Sequence, residues 1–247
     1  MHKIDSSILT REIGVLMSVY NGQRYIVSAL DSLINQKFDK NKFFIFVVDD
    51  GSIDDTPRVL EVYRKKVKNL VIQRNLKNEG LGFSLNKAIA MMRPRFLVRF
   101  DADDIACNNL LYELYTHIGK NVFCHPYMYI FNGDSINNEW IYKVSDFPSF
   151  FASGVLFMYD SVAKYRYSNL FWEEFDLYLK IFSNNGSFKI IPKPLFYHRI
   201  HGANMTADRK KAIKGYRLLQ KKWGIEVLKR YNFSLDNLLK SYEYCFN

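Results

Sequence analysis

Three polar clusters punctuate the N-terminal part of the sequence: Ser18-Val19-Tyr20-Asn21-Gly22, Asp49-Asp50-Gly51-Ser52 and Asp101-Ala102-Asp103-Asp104. Two of them bring together five aspartates, which repel one another on a shared edge unless a cation or a set of hydrogen-bond donors holds them. A calcium loop of the EF-hand type is excluded, because it needs a further oxygen ligand and then Gly where Ile105 and Ala106 stand. Taken singly, Asp49-Asp50-Gly51-Ser52 reads equally well as a β-turn and Asp104 as a helix cap. Three such clusters at successive strand ends make that plainer account the poorer one.

The surrounding pattern supplies those strand ends. Ile13–Val19 and Phe43–Val48 are continuous apolar runs of strand length, with Leu70–Gln73 and Arg95–Phe100 as further candidates. Between them, residues 22–36 place Tyr25, Ile26, Ala29, Leu30, Leu33 and Ile34 on one helical face. A second helix opens at Asp54, Asp55 and Pro57, and a third covers Phe83–Met92. Strands apolar on both faces, alternating with amphipathic helices, predict a mostly parallel sheet covered on both sides. In such a sheet ligands gather beyond the carboxyl ends of the strands, where the clusters lie. Beyond Asp104 the spacing predicts a helix over Asn108–Ile118, a strand over Val122–Phe131 and a helix over Glu173–Phe182. Phe188–Ile191 and Leu195–Ile200 read as two short edge strands set apart by Pro192 and Pro194.

Composition narrows the class. The chain has 247 residues, 48% hydrophobic and poor in Gly and Pro, so it folds around a core. Of the net charge of +10, residues 207–247 supply the larger part, with ten Lys/Arg against four Asp/Glu. A nucleic-acid-coating protein would spread its charge over the body, so no nucleic acid partner is expected. The three cysteines, Cys107, Cys124 and Cys245, have no zinc or disulfide spacing and fit a reduced, cytoplasmic setting. The N-terminal MHKIDSSILTREIG lacks the apolar region of a secretory signal. The stretches near Phe43–Val48 and Phe150–Tyr159 are too short to cross a bilayer.

Eight segments, in order, carry a resemblance: MSVYNG (17–22), SLINQ (32–36), VVDDGSIDDT (47–56), RNLKNEGLGFSLNKAI (74–89), RFDADD (99–104), SGVLF (153–157), WEEFDLYLKI (172–181) and YHRIHGANMT (197–206). The chain resembles a family 2 glycosyltransferase of GT-A fold over most of residues 13–206. The resemblance implies a Rossmann-like mixed sheet with helices on both faces, and inverting transfer of a sugar from a nucleotide donor, UDP-linked, to a hydroxyl of a glycan or lipid-linked glycan. It carries Ser18, Tyr20, Asn21, Asp50, Asn86 and Asp101 to the donor site, with Tyr20 and Asp50 as the uridine contacts. Asp101 and Asp103 match the DxD motif, and His201 matches a family position near the metal, so Asp101, Asp103 and His201 are the expected holders of Mn²⁺ or Mg²⁺. Such an ion stabilises the departing diphosphate.

An inverting transfer also needs a base for the acceptor hydroxyl. Where the family writes Glu-Asp, this chain has Glu173-Glu174, so Glu174 takes the base position with a longer side chain, and Asp176 is the fallback. As plain helix chemistry, Glu173 and Glu174 are first-turn acids favoured by the helix dipole. Asn86 fits a buried polar contact equally well. Asn78-Glu79-Gly80-Leu81-Gly82 lacks a Walker pattern and reads as a turn opening the third helix. His2, His117, His125 and His198 lack metal-like spacing and read as structural or exposed.

Two rival readings fit the pattern less well. A sugar nucleotidyltransferase would want a Gly-rich, Arg-containing loop after the first strand, where Tyr20-Asn21-Gly22-Gln23-Arg24 offers one glycine. A basic adaptor without activity would have no use for the aspartate clusters.

The expected organisation is a GT-A domain over 1–206 and a basic amphipathic helical extension over 207–247. Residues 209–230 hold nine Lys/Arg and one acid, Glu226, opposite a stripe of Ala212, Tyr216, Leu219, Trp223 and Val227. That stripe either packs on the body or leaves the helix free for an anionic membrane, which would make the protein peripheral on the inner face.

Overall fold

The apolar runs become strands because both of their faces are covered. The computed structural model describes residues 7–137, 139–143, 153–202, 208–231 and 233–237. His2, Cys245, the first residues of the Phe150–Tyr159 stretch (150–152) and the 206/207 domain boundary therefore lie outside the described residues. The first half alternates as expected: β1 (Ile13–Val19), α1 (Ile26–Ile34), β2 (Phe43–Asp49), α2 (Thr56–Lys66), β3 (Leu70–Arg74), α3 (Leu81–Met91) and β4 (Phe96–Arg99). Then come β5 (Ile105–Ala106), α4 (Leu110–His117), β6 (Phe123–Asn132), β7 (Trp140–Tyr142), β8 (Val155–Met158) and α5 (Tyr159–Tyr165). The chain continues through α6 (Glu173–Phe182), β9 (Phe188–Ile200), α7 (Arg209–Trp223) and α8 (Ile225–Arg230).

One sheet runs in the order β3-β2-β1-β4-β8-β6-β9-β5, with β7 added to β6. The β3-β2-β1-β4 portion is parallel, β8 is antiparallel to β4 and β6, and β6 and β9 are parallel. Along β2, Phe43, Ile45 and Val47 enter one core while Phe44, Phe46 and Val48 enter the other. Helices α1 and α4 line the first core; α3, α5 and one side of α6 line the second. The result is a mixed α/β sheet with helices on both faces.

The two edge strands expected at 188–200 are a single strand, β9, lying between β6 and β5. Its prolines are tolerated because the β6–β9 register jumps between Pro126 and Tyr127, opposite Ile191 and Pro194. A missing N–H costs little where the ladder is already interrupted.

Helix α6 is covered on both sides. Leu177, Tyr178 and Ile181 face the sheet, while Phe175 and Leu179 meet Ala212, Tyr216, Leu219, Leu228 and Phe233 in a third cluster. The apolar stripe of α7 is thus packed on the body. Gly215 permits the close approach: a Cβ there would lie 2.6 Å from Cβ of Phe171.

Candidate active site

The loops after β1 and β2 are stitched together at the carboxyl edge of the sheet. Asn21, at φ 52°, receives a hydrogen bond from the Ile53 N–H on Oδ1 and donates its own N–H to Ser52 Oγ, both at 2.9 Å. Gly22 N–H donates to Thr56 Oγ1 at 2.9 Å. Tyr20 stands above this seam with 45% of its surface exposed, an aromatic face open to a planar partner. Ser18 is half-buried at the end of β1, level with Val48 of β2.

Each of the five aspartates has a protein partner. Buried Asp49 takes the Ser52 N–H at 2.9 Å and pairs with Arg74 at 3.1 Å. Asp50 is 3% exposed and accepts from Asn75 Nδ2, Glu79 N–H and Gly80 N–H at 2.8–2.9 Å. The Asp50 carboxylate therefore fastens the second loop to the turn that opens α3. Gly51, at φ +77°, lets these loops touch, since a Cβ would fall 2.4 Å from the Lys77 carbonyl carbon.

The Asp101–Asp104 turn is mounted on the end of β9. Asp104 accepts from His198 Nδ1 and the Arg199 N–H, each at 3.0 Å. Arg199 Nε donates to the Asp103 carbonyl at 2.8 Å, and its guanidinium lies 4.5 Å from the Tyr25 ring centre and 4.6 Å from that of Phe131. His201 Nε2 lies 3.0 Å from Asp103 Oδ2, with the imidazole 4.6 Å from the Tyr25 ring. The Asp101 N–H donates to Ser153 Oγ at 3.1 Å, and its carboxylate pairs with Arg99 at 2.9 Å.

The charge on His198 makes this mounting pH-dependent. Burial opposes that charge, but Asp104, backed by Asp103 and Asp101, outweighs it and raises the imidazole pKa to about 9. A folded value above the ordinary ~6.5 means the stabilisation is complete below about pH 6.5 and is lost as pH rises through about 9. We expect His198→Gln to cost about 1–3 kcal/mol near pH 6 and clearly less near pH 10, measured by denaturant unfolding of both proteins.

At the start of α6, Glu173 and Glu174 are 1% and 7% exposed. Burial raises both above the usual carboxylate range, while the nearby Arg99 guanidinium pulls them down. Asp176 is fully buried but occupied: Lys222 Nζ, Lys180 Nζ and Trp223 Nε1 reach it at 2.6, 2.7 and 2.8 Å. Despite burial, those donors lower its pKa. Asp176 fastens α7 to α6, which removes it as a fallback base.

Asn86 spends its amide on Tyr167, donating to the carbonyl at 2.8 Å and accepting from the N–H at 3.0 Å. That is the buried polar contact foreseen as the alternative to a donor-site role. The residues assigned to a metal divide into the Asp103–His201 pair and Asp101 on Arg99. Among the described residues, no three His, Cys, Asp or Glu side chains form a metal-holding group. Three groups escaped notice as site residues: Arg99, Arg199 and His198. The two arginines left a signal, each being a charge set inside an apolar strand run.

The sequence model of glycosyl transferase family 2 matches residues 14–182. A protein described as an uncharacterized glycosyltransferase of Methanocaldococcus jannaschii is 24% identical over 85% of this chain and 79% of its own length. The poly(ribitol-phosphate) β-N-acetylglucosaminyltransferase TarS of Staphylococcus aureus is 36% identical over 38% of this chain, a match spanning 16% of TarS. In three dimensions, TarS residues 1–349 with UDP-GlcNAc superpose with a TM-score of 0.67 at 21% identity, covering 84% of this chain and 65% of theirs. The Pyrobaculum calidifontis mannosyltransferase PcManGT, in complex with GDP-Man and Mn²⁺, gives 0.67 at 13% identity, covering 87% and 66%. Those two likenesses speak for the GT-A fold. With more than half of its length matched by the family, the chain belongs to glycosyl transferase family 2 and is a glycosyltransferase.

Proposed function

We propose that this enzyme transfers a sugar from a UDP-linked donor to a hydroxyl of a glycan or lipid-linked glycan, with inversion. The observation that carries the reading is Arg99, whose guanidinium lies 2.9 Å from Asp101 on the DxD turn and 3.8 Å from Glu173, the neighbour of the candidate base. One buried cation thus ties the donor end of the site to the acceptor end. Tyr20 offers a face to the uracil ring, and Asn21 and Ser18 shape the seam beneath it. Asp50 retains one unused lone pair on Oδ2 for a base N–H, although its first duty is to hold the loop. Glu174 takes the acceptor proton as the hydroxyl oxygen bonds to the anomeric carbon. The bond from that carbon to the diphosphate breaks, and its electron pair leaves with the nucleotide. Attack from the side opposite the leaving group inverts the centre.

Asp101, Asp103 and His201 fit a divalent ion by donor type. The Asp103–His201 contact already brings a carboxylate oxygen and an imidazole nitrogen together, and carboxylates select Mg²⁺ or Mn²⁺, with the imidazole favouring Mn²⁺. When bound, such an ion offsets the charge that develops on the diphosphate. Calorimetry with UDP is the test: binding should require Mn²⁺ and weaken at least about tenfold in Asp103→Ala. Metal-independent binding, unchanged in the variant, would remove the main support for the reading.

The extension over 207–247 has a second part in this proposal. Lys210, Lys214, Arg217 and Lys221 form one exposed stripe of α7, while its apolar side is sealed against α6. Among the described residues no helix is long and apolar enough to cross a membrane. Contact with the inner, anionic membrane face is therefore electrostatic, worth about 1 kcal/mol per basic residue near the surface. Vesicles containing anionic lipid should pull the protein down at low salt and release it at high salt. Equal recovery on neutral vesicles would exclude this contact.

A further inference from the structure

Around Arg99, beside the Asp101–Asp104 turn, lies a set of buried polar atoms to which the transfer reading gives no hydrogen-bond partner. Arg99 Nε, Glu173 Oε1, Tyr167 Oη and Ser168 Oγ are all buried without a hydrogen-bond partner. Native proteins rarely leave such groups unsatisfied, and clusters of them mark sites of function or of bound water. Glu173 and Glu174 are buried side by side at the start of α6, and Arg99, the cation beside them, lies nearer to Asp101. Ionised carboxylates only accept, so a bond between two of them requires one proton on the pair.

The surroundings decide where that proton sits. Facing Glu173 are Arg99 at the end of β4, with Asp101 beyond it, Glu174 on α6 and Tyr167 from the loop before α6; Tyr178 of α6 completes the group. Both tyrosines stay neutral, because burial drives their ionisation upward. Arg99 is shared, 2.9 Å from Asp101 and 3.8 Å from Glu173, so its charge is already matched by the nearer carboxylate. Glu173 is the more deeply buried of the glutamates, and Glu174 retains the residual exposure that an incoming hydroxyl needs.

We propose that Glu173 is a positioning residue: it carries the shared proton and donates it in a hydrogen bond to Glu174, aiming the second carboxylate while Arg99 ties the pair to the DxD turn. This rests on the reading of Glu174 as the base. Asn86 and Lys180 serve the same arrangement at one remove, since they fix the backbone at Tyr167 and at Tyr165 and Arg166.

The test compares Glu173→Gln, which keeps a donor, with Glu173→Ala, which does not, and with Glu174→Gln, which removes the base. Infrared difference spectra of the full chain near pH 7 read the proton without any substrate. The C=O stretch of a buried carboxylic acid should appear in the wild type and vanish in Glu173→Gln. With UDP-GlcNAc hydrolysis as the turnover probe, Glu173→Gln should stay within about threefold of wild type. Glu173→Ala should fall by up to about a hundredfold in kcat, at unchanged UDP affinity. The acid limb of the Glu173→Ala profile should also move to higher pH, because the bond that favours ionised Glu174 is gone. Absence of the wild-type band, or a Glu173→Gln protein as inactive as Glu174→Gln, would overturn the proposal. Full turnover in Glu174→Gln would instead remove the base assignment, leaving the infrared band to report on the shared proton by itself.

Discussion

Replacing Glu174 by Gln is expected to lower sugar transfer by about 10²–10⁴-fold, the usual contribution of a positioned general base, with nucleotide affinity unchanged. The amide has almost the same shape and still accepts a hydrogen bond, but it cannot take the acceptor proton. The pH profile carries the same information. Burial raises the Glu174 pKa above that of an exposed glutamate, and Arg99 limits the rise. A base works ionised, so kcat/KM should fall on acidification at a higher pH than an ordinary carboxylate would give. That acid limb should disappear in the variant. An unchanged profile would show that another group takes the proton.

Asp176→Asn should do the reverse. The carboxylate is fully buried and gathers Lys180, Lys222 and Trp223. Breaking a buried ion pair from one side costs about 3–5 kcal/mol. Lys222 keeps 41% of its side chain exposed and can return to water, which brings the expectation to about 2–3 kcal/mol. For a chain of this size that is a fall in Tm of roughly 4–12 °C. Turnover at a temperature where both proteins are folded should be unaffected. Glu174→Gln, by contrast, should leave Tm unchanged or raised, since it removes a desolvated charge. The two variants together separate a base from a fastener among residues two positions apart on one helix.

Local pattern disclosed most of what local forces decide. The continuous apolar runs at Ile13–Val19 and Phe43–Val48 are strands because both faces are buried, and α6 occupies Glu173–Phe182 as its spacing predicts. What stayed hidden depends on partners far along the chain. Asp176 owes its role to Lys222 and Trp223, 46 and 47 positions away. The hydrogen bonds of Asp50 run to the α3 turn, 29 and 30 positions away, a link that no local pattern announces. The single strand at 188–200 was obscured by prolines whose effect is cancelled by a register jump in a neighbouring strand. Arg99 and Arg199 went unassigned although they left a signal, because an arginine inside a buried strand must have a partner.

The mounting of the DxD turn also sets an order of assembly. His198 and His201 reach Asp104 and Asp103 across 94 and 98 positions of chain, whereas Asp50 meets the α3 turn across only 29 and 30. Closing the longer loops is entropically dearer, by about 0.6 kcal/mol for each doubling of length. The parallel β3-β2-β1-β4 unit can thus form and bury its apolar runs while the turn after β4 is still loose. Only when β9 aligns along β6 do Arg199, His198 and His201 arrive to rigidify it. The seam between the loops after β1 and β2 should accordingly form before the Asp101–Asp104 turn is fixed, and mild destabilisation should dissolve them in the opposite sequence.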